Sequence, residues 1–207
     1  MFRIDVIVFH IYIYYTFLCV NNLGPLTYWK SNKTSILKWN YSPDCYVHLL
    51  NQNFSTGPAS IGQANAKWYA AGIPSNIINT ESSADIVFYA GTKEELIQAD
   101  GDTFGTLTDQ SNGHTLLDTV ENTSSECDYY EYNGSKRYLW HINSGISGII
   151  KKDNRTTYNY YKTGLHEYGH LLGWYGHSSN SNDIMYSLGS EVIQLTNRDK
   201  NHILQVY

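Results

Sequence analysis

Charge is scarce in this sequence. Only 16% of its 207 residues are Asp, Glu, Lys or Arg, against roughly 25% in an average globular chain. Uncharged polar residues and aromatics fill the deficit, the aromatics making up 14% of the chain. A chain this aromatic buries a core, which excludes a natively disordered one. The net charge of -5 provides no broad basic field, which excludes nucleic acid as the expected partner. No second long apolar run follows the one at the N-terminus, which excludes a multi-span membrane protein. The length suits one domain of ordinary size, alone or with a short N-terminal segment.

Cysteine is scarce too: Cys19, Cys45 and Cys127. Cys19 lies in the apolar run, residues 4–20, which is interrupted by Asp5 and His10 and preceded by Arg3. The run reads as an export signal or a membrane anchor, although small residues for a cleavage site are missing. Its β-branched and aromatic residues also suit an N-terminal strand. Residues 1–20 are therefore set apart as signal peptide or anchor, 21–35 as linker and 36–207 as the domain. The expected location is secreted or extracellular, or membrane-anchored through residues 1–20, the only membrane contact expected. Removing the leader leaves Cys45 and Cys127, either paired in an oxidising compartment or as buried thiols. Asn-x-Ser/Thr sequons at Asn32, Asn40, Asn53, Asn122, Asn133 and Asn154 support export only where the host glycosylates.

Periodicity predicts a helix over 58–71, with Ile61, Ala64, Trp68 and Ala71 on one stripe and Gly72 and Pro74 ending it. Strands are expected over 46–50, 84–90, 115–120 and 137–143. A second helix spans 157–172. A last one spans 196–207, capped by Thr196 with Asp199 in the capping-box position and burying Ile203, Leu204 and Tyr207. Strands with a helix between them and a helical end indicate an α/β or α+β domain.

The second helix carries His166-Glu167-Tyr168-Gly169-His170. Positions i and i+4 lie one turn apart on one helix face, so two imidazoles at that spacing reach one metal ion. Glu167 beside them can take a proton from a metal-activated water. The bland alternative is a helix with two ordinary histidines. Gly173 can end the helix and let the chain return His177 as a third ligand, and three protein ligands plus water is the open pattern of catalytic zinc. Met185 follows a polar loop.

The run 166–186, HEYGHLLGWYGHSSNSNDIMY, resembles the zinc motif and Met-turn of a metzincin metalloprotease of the matrixin type. Weaker likeness extends over 39–207. The resemblance implies a metzincin-like zincin domain: a twisted mixed sheet of about five strands, two long helices and a C-terminal helix. It implies one catalytic Zn²⁺ held by His166, His170 and His177, Glu167 as general base, and Met185 as the floor beneath the metal. It implies a monomeric endopeptidase acting on protein or peptide substrates, with a hydrophobic residue expected just after the cut bond. One feature departs from the family: the third His comes a residue late, and so does the Met. A single inserted residue between Gly173 and His177 accounts for both. The competing expectation is a weakened or inactive binding module on the same scaffold.

Asp100, Asp102 and Asp109 form an oxygen-rich segment that could hold Ca²⁺, although a plain turn is favoured. His114 and His141 are second-site ligands only in principle. The basic run KKDNR, residues 151–155, reads as a solvated turn.

Overall fold

A computed structural model describes residues 37–121, 129–132, 134–174, 176–187 and 192–207. Residues 1–20 and the linker fall outside them, as does Cys127. Cys45 is a free thiol buried in the core.

In chain order the elements are β1 (Leu37–Lys38), β2 (Asp44–Leu49), α1 (Thr56–Ala70), β3 (Asn76–Ile78), β4 (Ile86–Gly91), α2 (Lys93–Ala99), α3 (Gly101–Phe104), β5 (Gly113–Glu121), β6 (Tyr129–Tyr132), β7 (Ser135–Tyr138), β8 (Trp140–Ile150), α4 (Thr157–Leu171) and α5 (Asn197–Ile203). β3, β2, β4 and β8 lie side by side in parallel, and β5 adds antiparallel on the far edge of β8. The two-residue β1 extends the β4 side of β8. Together they make the expected mixed sheet, and β6 and β7 form a separate hairpin.

The strand expected over 137–143 is two strands. β7 ends at Tyr138, Leu139 is buried between them, and β8 runs on to Ile150. Its second half, Ser144 to Ile150, is rich in Ser and Gly and hides its strand character. Two of those glycines are required by close approach. A Cβ on Gly145 would meet Leu171 Cδ2 at 2.9 Å, and one on Gly148 would meet Phe104 Cε1 at 2.9 Å. α4 and α3 can therefore both pack tightly against β8. The segment 93–104, to which the sequence analysis assigns no helix, forms α2 and α3. Thr92 and Glu95 make a full capping box for the first, and Asp100 caps the second.

α1 packs across α4, with Ile61, Ala64 and Trp68 buried as the stripe predicts. Trp68 Nε1 donates to Leu165 O at 3.0 Å. The C-terminal carbonyls of α4, which have no helical partner, are satisfied from both ends of the described chain. Trp39 Nε1 donates to Leu171 O at 2.7 Å, and Tyr207 Oη to Leu172 O at 2.7 Å. α5 is shorter than expected: Ile203 is buried, but Leu204 is exposed and Val206 takes the inward place. The reason is that the helix ends at Ile203, so the period of 3.6 no longer applies beyond it.

His202 on α5 lies against Trp174, ring centroids 4.3 Å apart. Burial pushes its pKa down from 6.5 to about 4. A depressed folded-state pKa means the folded form binds fewer protons than the unfolded one. The stability it contributes is complete above pH 6.5 and is lost as pH falls toward 4. A His202→Phe variant should show a flatter loss of stability over that window, the difference reaching about 3 kcal/mol. Urea titrations of parent and variant at pH 7, 6, 5 and 4 measure it. Equal slopes would contradict it.

Candidate metal centre

α4 opens with a capping box. Thr156 Oγ1 accepts from Asn159 N at 3.3 Å, and Asn159 Oδ1 from Thr156 N at 3.0 Å. Two turns further on, His166 and His170 face the same way, ring centroids 4.8 Å apart. His166 Nδ1 donates to Ile184 O at 2.8 Å and His170 Nδ1 to Trp174 O at 2.8 Å. A carbonyl only accepts, so both protons sit on Nδ1 and both Nε2 atoms present lone pairs. Those Nε2 atoms are 3.1 Å apart. Burial lowers the basicity of both rings, and in His170 the nearby His166 lowers it further. With no proton between them, the two lone pairs call for a cation.

His177 completes the group. Its ring lies 5.2 Å from that of His166 and 5.0 Å from that of His170, centroid to centroid. One nitrogen from each of the three falls within 4.8 Å of the others. Tetrahedral zinc with nitrogens at about 2.0–2.1 Å separates them by roughly 3.4 Å. The half-buried pair, His166 and His170, comes close to that separation, and His177 is the exposed ring of the three. The donor set fits zinc.

The loop that returns His177 carries the extra residue. Gly173 has φ +105 and Gly176 φ +92, conformations that side-chain-bearing residues rarely adopt. Gly173 also sits so close to β1 that a Cβ would meet Leu37 O at 2.6 Å. Between the glycines the Trp174 side chain is buried beside Trp68. Beyond His177, Ser178 N donates to Met185 O at 2.8 Å and the chain closes a bridge from Ser178 to Tyr186.

Met185 is fully buried under α4. Gly169, inside the His-to-His turn, makes room for it: a Cβ there would meet Met185 Sδ at 2.6 Å and Trp68 Cζ2 at 2.9 Å. Two buried carboxylates fix this turn. Asp199 accepts from Ile184 N at 3.1 Å and from Thr196 N at 2.9 Å. Asp183 accepts from Thr196 Oγ1 at 2.8 Å, from Ser178 Oγ and from Arg198 Nε at 2.8 Å. Burial pushes the Asp199 carboxyl up, and the Thr196 and Ile184 N–H donors hold it down. Sequence reasoning found Asp199 only as a capping residue and missed Asp183. The capping box was the available signal for Asp199.

Glu167 is buried between α4 and β5. Thr115 Oγ1 donates to its Oε2 at 2.7 Å. Burial raises its pKa to about 7, the Thr115 hydrogen bond opposing the rise. Gly113 passes so close that a Cβ would meet Glu167 Oε1 at 2.8 Å. The carboxyl and the imidazoles open on one cleft of about 1610 Å³.

The family model for matrixin matches residues 75–207, more than half of the chain. The chain belongs to the matrixin family. Among curated proteins the sequence finds no match.

Elsewhere in this matrixin, the other expected ligands are dispersed. Asp100 Oδ1 accepts from Thr103 N at 3.0 Å, and Asp109 pairs with Lys93 at 2.9 Å. His114 lines the cleft, and His141 Nδ1 lies 2.9 Å from Asn40 Nδ2. Among the described residues, His166, His170 and His177 are the one group of three metal-ligating side chains. The turn expected at 151–155 is present, with Asp153 and Asn154 exposed, but its basic side chains are not fully solvated. Arg155 is partly buried and lines the cleft with Lys152, because Tyr160 tucks beneath the turn and bonds Lys152 O at 2.7 Å.

Gly169→Ala should push Met185 and Trp68 outward. The expected result is a stability loss of about 1–3 kcal/mol and a smaller rise in melting temperature on adding zinc than the parent shows. Differential scanning calorimetry with and without zinc reads both. An unchanged zinc-induced rise would contradict the role given to this contact.

Proposed function

We propose that this matrixin is a zinc-dependent endopeptidase, with zinc held by His166, His170 and His177. The observation that carries the reading is the buried Glu167 carboxyl, with its pKa raised to about 7, beside two imidazoles whose lone pairs converge. Bound zinc supplies Lewis-acid polarisation of the peptide carbonyl and an activated water. Glu167 accepts the proton of the attacking water and passes it to the leaving amine. Thr115 keeps the carboxylate oriented. Among the described residues the outer edge of β5 is unpaired, and an extended peptide can add there as a further strand. Met185 and Asp199 keep the Met-turn, and hence the Ile184 carbonyl under His166, in place.

Residues 1–20 acting as an export signal would deliver the enzyme outside the cell, or tether it there if they are kept. A second reading, a binding module with weakened chemistry, is favoured by one feature: His177 is exposed, and the ligand nitrogens span up to 4.8 Å.

Hydrolysis of a quenched peptide mixture by the zinc-loaded chain separates the two. The parent should cleave, and Glu167→Ala should lose at least about 100-fold while still binding zinc. A folded, zinc-loaded parent that cleaves nothing would favour the binding module, and equal cleavage by both proteins would remove Glu167 from the mechanism.

A further inference from the structure

Ser147 is a polar residue in an apolar place. It lies in β8 between Ile146 and Gly148, with Ile149 and Ile150 beyond, and is fully buried. A hydroxyl there costs free energy unless it is hydrogen-bonded, and an alanine would fill the position without that cost. Ser147 pairs in register with Thr115 on β5, so the two side chains share one face of the sheet. Glu167 of α4 packs on that face. The contacts run in line. Ser147 Oγ lies 2.7 Å from Thr115 Oγ1 and 3.0 Å from His114 O, and Thr115 Oγ1 lies 2.7 Å from Glu167 Oε2.

Counting protons fixes the direction of this chain. As a base Glu167 is ionised, so its oxygens only accept, and the Thr115 proton goes to Oε2. Two hydroxyl oxygens 2.7 Å apart need a proton between them, and Thr115 has none left to give. The Ser147 proton therefore lies toward Thr115 rather than toward His114 O. A hydroxyl that accepts a hydrogen bond donates a stronger one. The pinned Thr115 hydroxyl is also kept from turning to Glu167 O, 3.4 Å away. The other carboxylate oxygen, Oε1, takes no hydrogen bond from any described residue. Gly113, which lines the cleft with Glu167, leaves it uncovered: a Cβ there would meet Oε1 at 2.8 Å.

We infer that Ser147 is a positioning residue for Glu167. Acting through Thr115, it commits Oε2 to holding the carboxylate and leaves Oε1 as the oxygen that takes the proton of the attacking water. The proton step rests on the endopeptidase reading, but the hydroxyl chain itself does not.

The test uses the full chain, zinc-loaded, as Ser147→Ala, Thr115→Val, the two combined, and Thr115→Ser. In peptide hydrolysis Ser147→Ala should lower kcat at least about threefold with KM unchanged, the effect of one weakened hydrogen bond. Thr115→Val should lower it further, and Thr115→Ser should keep it near the parent value. The combined variant should match Thr115→Val, because Ser147 acts only through that hydroxyl. A general loosening of the structure would instead multiply the two losses. A second readout needs no turnover: the carboxylate stretch of Glu167, taken as the infrared difference between each protein and its Glu167→Gln counterpart. It should move in Ser147→Ala, move further the same way in Thr115→Val, and stay in place in Thr115→Ser. Ser147→Cys, a weak donor of similar size, carries the same test where Ser147→Ala does not fold. These shifts in a parent that cleaves nothing would support the chain and count against the endopeptidase reading alone. A stretch unmoved in Ser147→Ala overturns the inference. So does, in a parent that cleaves, an unchanged kcat or a loss that multiplies with that of Thr115→Val.

Discussion

Two imidazole nitrogens held 3.1 Å apart with their lone pairs facing are the constraint on which the rest of this structure depends. Each ring is locked by a backbone carbonyl, one from Ile184 in the Met-turn and one from Trp174 in the loop that returns His177. Both carbonyls come from segments C-terminal to α4, so those segments must be placed as accurately as the helix. Asp199 does this for the Met-turn by gathering its N–H groups, and Asp183 joins Ser178, Thr196 and Arg198. Gly169 lets the turn press against α4. Trp39 and Tyr207 close the end of the helix.

The extra residue before His177 bears on the same constraint. A longer return loop threatens the Trp174 carbonyl more than it threatens His177, because that carbonyl fixes the tautomer of His170. The threat is met by burying the Trp174 side chain against Trp68 and by giving both flanking glycines positive φ. His177 is the exposed ring of the three, and the other two are half-buried.

The ligand pattern was legible because it is local. His166 and His170 share a helix face by spacing alone, and the Ile61, Ala64 and Trp68 stripe likewise reads from periodicity. What was not legible depends on long-range packing. Ser and Gly in β8 look like a loop until α3 and α4 are seen against Gly148 and Gly145. α2 and α3 are too short for a periodic signal, though their caps at Thr92 and Asp100 were available. Arg155 sits in a run that reads as solvated because its burial comes from Tyr160, five residues on, folding back under the turn. A net negative chain likewise gives no hint that, among the described residues, its cleft is lined by Lys152, Arg155 and Lys162 with Glu167 as the one carboxylate.

X-ray absorption at the zinc edge of the zinc-loaded chain tests the central claim most directly. The account predicts four light ligands at about 2.0–2.1 Å, three of them showing the outer-shell scattering of imidazole. Replacing His177 with Ala should reduce that to two while the first-shell count is kept by solvent. A parent spectrum with only two imidazoles would contradict the account, because the late His177 would then stand outside the metal centre.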